Sequence, residues 1–347
     1  IKATEALPRL QSILSGDTGE QDESVLSSVR TASQRIETYQ DLQQLAGTLF
    51  SGISLGSILL LMGLGLAIIF GLMGVINMAH GEMMMIGAYT AFLTQELFSR
   101  YLPPSWLDAY FIAALPLSFA VTGMVGLLLE KGMIRFLYGR PLETLLATWG
   151  VSLILQQSAR WLFGDLTSVN APSWMRGGFE ATAGLVLPYN RIFIILLSLG
   201  GLAGIYALLF KSRWGLRVRA VTQNREISAC MGISTRRVDG WTFALGAGLA
   251  GIAGCALSLI GNVDPEMGRT YIVDSFMVVV VGGVGKLMGT VVSAMGIGML
   301  NKILEPAIGG TGGAIYAKLI LLGGIILFLQ RKPSGLFPAK GRAADSA

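Results

Sequence analysis

The sequence predicts an all-α fold: a polytopic transmembrane helical bundle of about nine spans, some short or broken, with a helical extramembrane N-terminal segment. Three observations carry that expectation. Of the 347 residues, 52% are hydrophobic and only 14% charged, against roughly 25% charged residues in a soluble domain. Mean hydropathy is +0.62. From residue 49 onward, apolar runs recur at about the 20-residue length a bilayer requires. This balance excludes a soluble enzyme. The net charge of +5 sits in loops between apolar runs, where it sets membrane orientation and leaves no nucleic-acid footprint.

Residues 1–48 are polar, with four Lys/Arg and seven Asp/Glu. They read as a helical extramembrane segment: one helix over 3–14, a solvated turn over 16–24 and a second helix over 27–47. The chain begins at Ile1 without Met, and a cleaved signal peptide upstream would explain both that start and an exported polar segment. The membrane domain is expected at 49–331 and a cytoplasmic tail at 332–347. Its spans are read at 49–70, 81–98, 109–129, 142–163, 191–210 and 241–260, then two short spans over 272–300 turning at Lys286, then 314–329. Residues 164–190 are expected to be a loop. The connections 130–140 and 211–240 hold three and seven basic residues against one and two acids, and the stretch 330–342 has four with none. They should all be cytoplasmic, which puts the N-terminus outside.

The stretch 70–89, FGLMGVINMAHGEMMMIGAY, places Asn77, the single histidine His80, and Glu82 between long apolar segments. Ionisable groups at membrane depth are costly unless they face protein or water. Glycine-broken backbone there is tolerated only where it is packed in protein or lines a cavity. Two readings follow: these groups line a polar substrate route, or they satisfy broken backbone and fix a kink. Asn262 and Asp274, with Asp264 nearby, are candidates for an outer mouth of the same route; the alternative is an interfacial cap. A second glycine-interrupted stretch, GGVGKLMG at 282–289, occupies a corresponding place in the other half of the chain. Paired breaks of this kind point to inverted repeats with a pathway between them.

GGVGKLMG does not make a phosphate loop, because Val280 stands where the first glycine belongs and Leu287 follows the lysine. If ATP drives this protein, another subunit binds it. Cys230 and Cys255 form no metal spacing, and no nucleophile–base–orienter set is present. In the loop 211–240, Glu226, Ile227 and Ser228, followed by three residues and then Gly232, have the spacing of an ATPase-coupling motif. Such a loop forms a short helix that docks on a cytoplasmic ATPase, the glycine allowing the turn after it. Arg225, Glu226, Ala229, Gly232 and Arg236 are the coupling candidates; a plain basic loop is the alternative.

GVINMAHGEMMMIGAYT (74–90) resembles the signature of LivH-type permeases of branched-chain amino acid ABC importers. LYGRPLETLLATWG (137–150), RAVTQNREISACMGISTRRVD (219–239), YIVDSFMVVVVGGVGKLMGTVV (271–292) and RKPSGLF (331–337) are similar to the urea branch of that family, the UrtB type. The resemblance covers 49–342. It implies a bacterial inner-membrane, multi-pass permease subunit moving urea inward by alternating access. It also implies a second permease (UrtC-like), two ATPases (UrtD- and UrtE-like) that hold ATP and Mg, and a urea-binding protein (UrtA-like). No cofactor is expected on this chain. A branched-chain amino acid or short-amide permease, or a standalone channel for small neutral solutes, remains open. The low charge count within the spans leans towards a small neutral solute such as urea, because a zwitterion calls for compensating charges at both ends.

Overall fold

The computed structural model describes residues 6–14, 22–182, 185–309 and 312–337. The turn expected at 16–24 lies mostly outside these residues, as does the end of the 332–347 tail. Helix α1 (Leu7–Leu14) packs on α2 (Glu23–Met73). No proline separates the polar sequence after Asp22 from the first apolar run, and the two form one 51-residue helix. The carboxylate of Asp22 caps it, accepting from the Ser24 N–H at 3.0 Å. The Ser24 hydroxyl and N–H hold the Asp22 carboxyl below its ordinary range. The expected boundary at 48–49 is therefore a change of hydropathy within one helix, because helix propensity does not change with it.

The membrane part continues through α3 (His80–Tyr101), α4 (Tyr110–Gly132), α5 (Pro141–Phe163) and α6 (Tyr189–Lys211). Two short helices follow, α7 (Arg213–Gln223) and α8 (Arg225–Cys230), then α9 (Thr235–Leu257), α10 (Met267–Gly282), α11 (Leu287–Ile308) and α12 (Gly313–Arg331). Nine of these helices coincide with the nine expected spans. Among the described residues, six are long and apolar enough to cross a bilayer unaided. The other three are α3, α5 and α10; the last has 16 residues and ends at the expected break before Lys286.

The inner half of α2 is the axis of the bundle, with Ile58, Leu59, Leu60, Leu61, Met62, Leu64 and Leu66 fully buried. Glycines set its neighbours' distance. A Cβ on Gly298 of α11 would lie 2.5 Å from Gly56 Cα of α2. Helix α9 is wedged between α3 and α4, where a Cβ on Gly251 would meet Thr122 and Ser118. Small residues are the means by which helices approach closely in lipid, where no hydrophobic force drives them together. Helices α4, α6 and α12 lie at the periphery and expose large apolar side chains such as Leu128, Leu196 and Leu327.

The 164–190 connection departs from the expected loop. Strands β1 (Gly178–Thr182) and β2 (Leu185–Pro188) pair antiparallel, with Phe179 opposite Leu187 and Glu180 opposite Val186. Side chains facing one another across the two strands are the unit of such pairing. Leu185 reaches to 3.6 Å from where a Gly47 Cβ would stand, which seats the hairpin against α2.

Candidate functional site

Helix α2 ends at Gly74, whose φ of +64° only glycine adopts without strain and whose N–H bonds the Phe70 carbonyl at 3.0 Å. The chain then runs without helix to α3 at His80. His80 Nε2 lies 3.3 Å from the carbonyl oxygen of Met62, well inside α2. The connection therefore climbs back along α2, and α3 begins beside the buried middle of that helix. The second break, where Gly283 and Gly285 have φ of +95° and +75°, meets the first. A Cβ on Gly71 would stand 2.7 Å from Gly285 N.

Asn77, His80 and Glu82 are brought together here, with exposures of 0%, 0% and 1%. Asn77 Oδ1 accepts from the Ala79 N–H at 3.0 Å, and the Met78 N–H donates to Thr148 Oγ1 at 3.1 Å. Glu82 Oε1 accepts from Ser152 Oγ at 2.8 Å and Gln156 Nε2 at 2.7 Å. Glu82 also stands in the first turn of α3, where the helix dipole favours a carboxylate. Among the described residues, Asn77 Nδ2, His80 Nδ1 and Glu82 Oε2 are buried with no hydrogen-bond partner. Both sequence readings thus have a physical counterpart: the trio holds the broken backbone, and it keeps donor and acceptor capacity unused.

Ser152, Gln156 and Thr148 escaped the sequence reading. Their signal is a four-residue period: Thr144, Thr148 and Ser152 are the buried hydroxyls of α5, whose other faces expose Leu146, Trp149 and Leu153. Thr144 completes the stripe by donating to the Arg140 carbonyl at 2.9 Å.

Asn262 and Asp274 do not join the trio. Asn262 is exposed in the loop after α9, beside Val263, which bridges to Thr167. The expected start of this span at residue 272, which put Asp274 close to its outer end, needs correction, because the helix α10 begins at Met267. Asp274 is buried within the helix and accepts from Lys318 Nζ of α12 at 3.0 Å. The pair lines a groove of about 450 Å³ with Glu266, Arg269 and Met277. Lys318 went unnoticed because nothing in the sequence links α10 to α12.

The candidate coupling residues divide as well. The Asn224 side chain caps α8 by accepting from the Ile227 N–H at 2.9 Å. After α8 the Gly232 N–H bonds Ala229 and the Ile233 N–H bonds Ser228, each at 3.0 Å, with Gly232 at φ +81°. Glu226, Ile227, Ala229 and Met231 face outward, Ile227 at 61% and Met231 at 78% exposure. Arg225 instead turns inward, ion-paired to buried Asp239 of α9 and lying 4.7 Å from the Tyr138 ring. Burial pushes the Tyr138 phenol far above its usual range. Arg236 belongs to neither group; it stands at the start of α9 beside Lys131 and Arg135.

A family model described as "Branched-chain amino acid transport system / permease component" matches residues 48–329. The branched-chain amino acid transport permease BraD of Pseudomonas aeruginosa is 29% identical over 306 residues, 86% of this chain and 96% of its own length. LivH of Salmonella typhimurium is 28% identical over 297 residues, covering 83% and 94%. A probable LivH of Methanocaldococcus jannaschii is 26% identical over 300 residues, covering 81% and 88%. No solved structure matches the chain.

Proposed function

We propose a route and a drive for this chain, which belongs to the branched-chain amino acid transport permease family. It is a multi-pass ABC permease subunit and not an enzyme. The observation that carries the route is the buried trio of Asn77, His80 and Glu82 at the α2–α3 break, with three polar atoms left unpartnered. A solute that can both donate and accept hydrogen bonds satisfies them as it passes between α3 and α5. The drive comes from cytoplasmic ATPases that hold ATP and Mg and press on α8 through Glu226, Ile227 and Met231. A second permease and a substrate-binding protein complete the assembly, which sits in the inner membrane with the N-terminus outside and the C-terminus cytoplasmic.

The relatives' names support branched-chain amino acids as the first reading of the substrate. One observation favours urea as a second reading. Among the described residues the stretch 74–90 carries Glu82 as its one anion and no Lys or Arg, Lys286 standing on the second break, while Asp274 and Lys318 neutralise each other elsewhere. A zwitterion needs both charges met; urea needs neither. The test is ATP hydrolysis by the assembled complex. Stimulation by leucine but not urea supports the first reading and the reverse the second. Solute flux through liposomes holding this chain alone overturns both in favour of a channel.

Coupling is tested at Gly232, where a Cβ meets nothing within 4 Å. Gly232→Ala bears only the cost of a left-handed residue, about 1–2 kcal/mol, and should keep most uptake. Gly232→Trp adds bulk at the docking face and should reduce ATP-driven uptake by about tenfold or more, the equivalent of ~1.4 kcal/mol. Equal uptake by the two variants refutes α8 as the coupling element.

A further inference from the structure

We propose that the groove between the ends of α4 and α9 binds the headgroup of an anionic phospholipid. The groove has a volume of about 300 Å³ and is lined by Leu127, Glu130, Lys131, Arg135, Arg236, Arg237, Gly240 and Trp241. Four cations thus face one carboxylate. Among the described residues none of the four cations forms an ion pair, although Arg135 lies 4.6 Å from the Phe136 ring. Nearby, by contrast, Arg225 is matched by Asp239 and Arg140 by Glu143.

The vertical order of the lining identifies the ligand. Helix α4 runs out of the bilayer at this end and α9 runs into it. On α4, Leu127 lies one turn deeper than Lys131; on α9, Trp241 lies one turn deeper than Arg237. Both helices therefore set a cation about 5.4 Å above an apolar side chain. That is the order of a phosphodiester above the first carbons of its acyl chains. Trp241 is 62% exposed at this level, where indole rings anchor at the membrane interface. Gly240 keeps the floor open, since a Cβ there would stand 3.1 Å from Glu130 Oε2 and 3.2 Å from Leu127 Cδ1. The first turn of α9, the positive end of its dipole, borders the groove through Arg236 and Arg237. A soluble anion would use the cations but has no use for Leu127 and Trp241, and basic groups between transmembrane helices commonly hold lipid headgroups.

The test is native mass spectrometry of the complex isolated with whatever subunits accompany this chain. It is titrated with phosphatidylglycerol or with phosphatidylcholine of identical acyl chains. The wild type should retain phosphatidylglycerol preferentially. The double variant Lys131→Ala, Arg237→Ala should lose that preference by on the order of 30-fold, at about 1 kcal/mol per basic side chain near the headgroups. The charge-keeping double variant Lys131→Arg, Arg237→Lys should retain it, which separates a lost site from a damaged fold. Equal retention of the two lipids by the wild type overturns the proposal, as does an unchanged preference in the alanine variant. Displacement of phosphatidylglycerol by millimolar inorganic phosphate overturns it in favour of a soluble anion site.

Discussion

Replacing Gly254 with Ala adds one methyl group to α9 and tests the packing on which the α3 break rests. The new Cβ would collide with the Met84 carbonyl oxygen, 2.7 Å from its carbon and 3.1 Å from Ala88 N. These are backbone atoms and cannot rotate away. Restoring an ordinary contact of about 3.5 Å with that oxygen means moving α3 by roughly 1.7 Å. Overpacking of this kind costs about 1–3 kcal/mol. The same substitution at Gly204, exposed on α6 with nothing within 4 Å of its Cβ, meets no such obstacle. There it relieves the entropy of a mid-helix glycine, a gain of up to about 1 kcal/mol. One methyl group should therefore act with opposite signs at two helical glycines. Thermal unfolding of the purified variants in one detergent, followed by tryptophan fluorescence, reads the difference. Gly254→Ala should also impair transport, because Glu82 lies one half-turn from Met84 and its bonds to Ser152 and Gln156 stretch when α3 moves. A Gly254→Ala protein that melts at or above Gly204→Ala refutes the close α3–α9 contact.

Two ion pairs give further expectations. Arg225→Ala leaves Asp239 buried without its cation; because the arginine is 43% exposed the loss should sit near the low end for a charged hydrogen bond, about 1.5 kcal/mol. Adding Asp239→Asn should recover most of it, and limited proteolysis around α8 reports both. Lys318→Ala strands Asp274, 3% exposed at membrane depth, and should cost about 3 kcal/mol or more. Asp274→Asn in the same chain should restore the melting temperature, and identical melting of single and double variants refutes the pairing.

The spans were legible because apolar runs and glycine breaks are local signals. Both breaks could be read from their glycines; that they touch, Gly71 against Gly285, could not, since sequence carries no distance between them. The trio was legible as polar groups in an apolar stretch. Its partners on α5 needed a periodic reading of hydroxyls spaced by four, which apolar runs conceal. Asp274 was misplaced because hydropathy located the start of its helix at residue 272, whereas Met267, Gly268, Arg269 and Thr270 already form its first turn. The β-hairpin was missed because its strands are only five and four residues long, too short for alternation to emerge from a loop.

The uninterrupted course of α2 has a mechanical consequence. At 1.5 Å per residue its 51 residues span about 76 Å, more than twice the roughly 30 Å hydrocarbon thickness. Some 40 Å of rigid rod thus stands clear of the bilayer, continuous with the helix against which the α3 break is built. A tilt of about 5° within the membrane swings the far end by about 3.5 Å. The rod is a lever: rearrangement at the buried break is amplified at its tip, and a load on the tip returns to the break as torque.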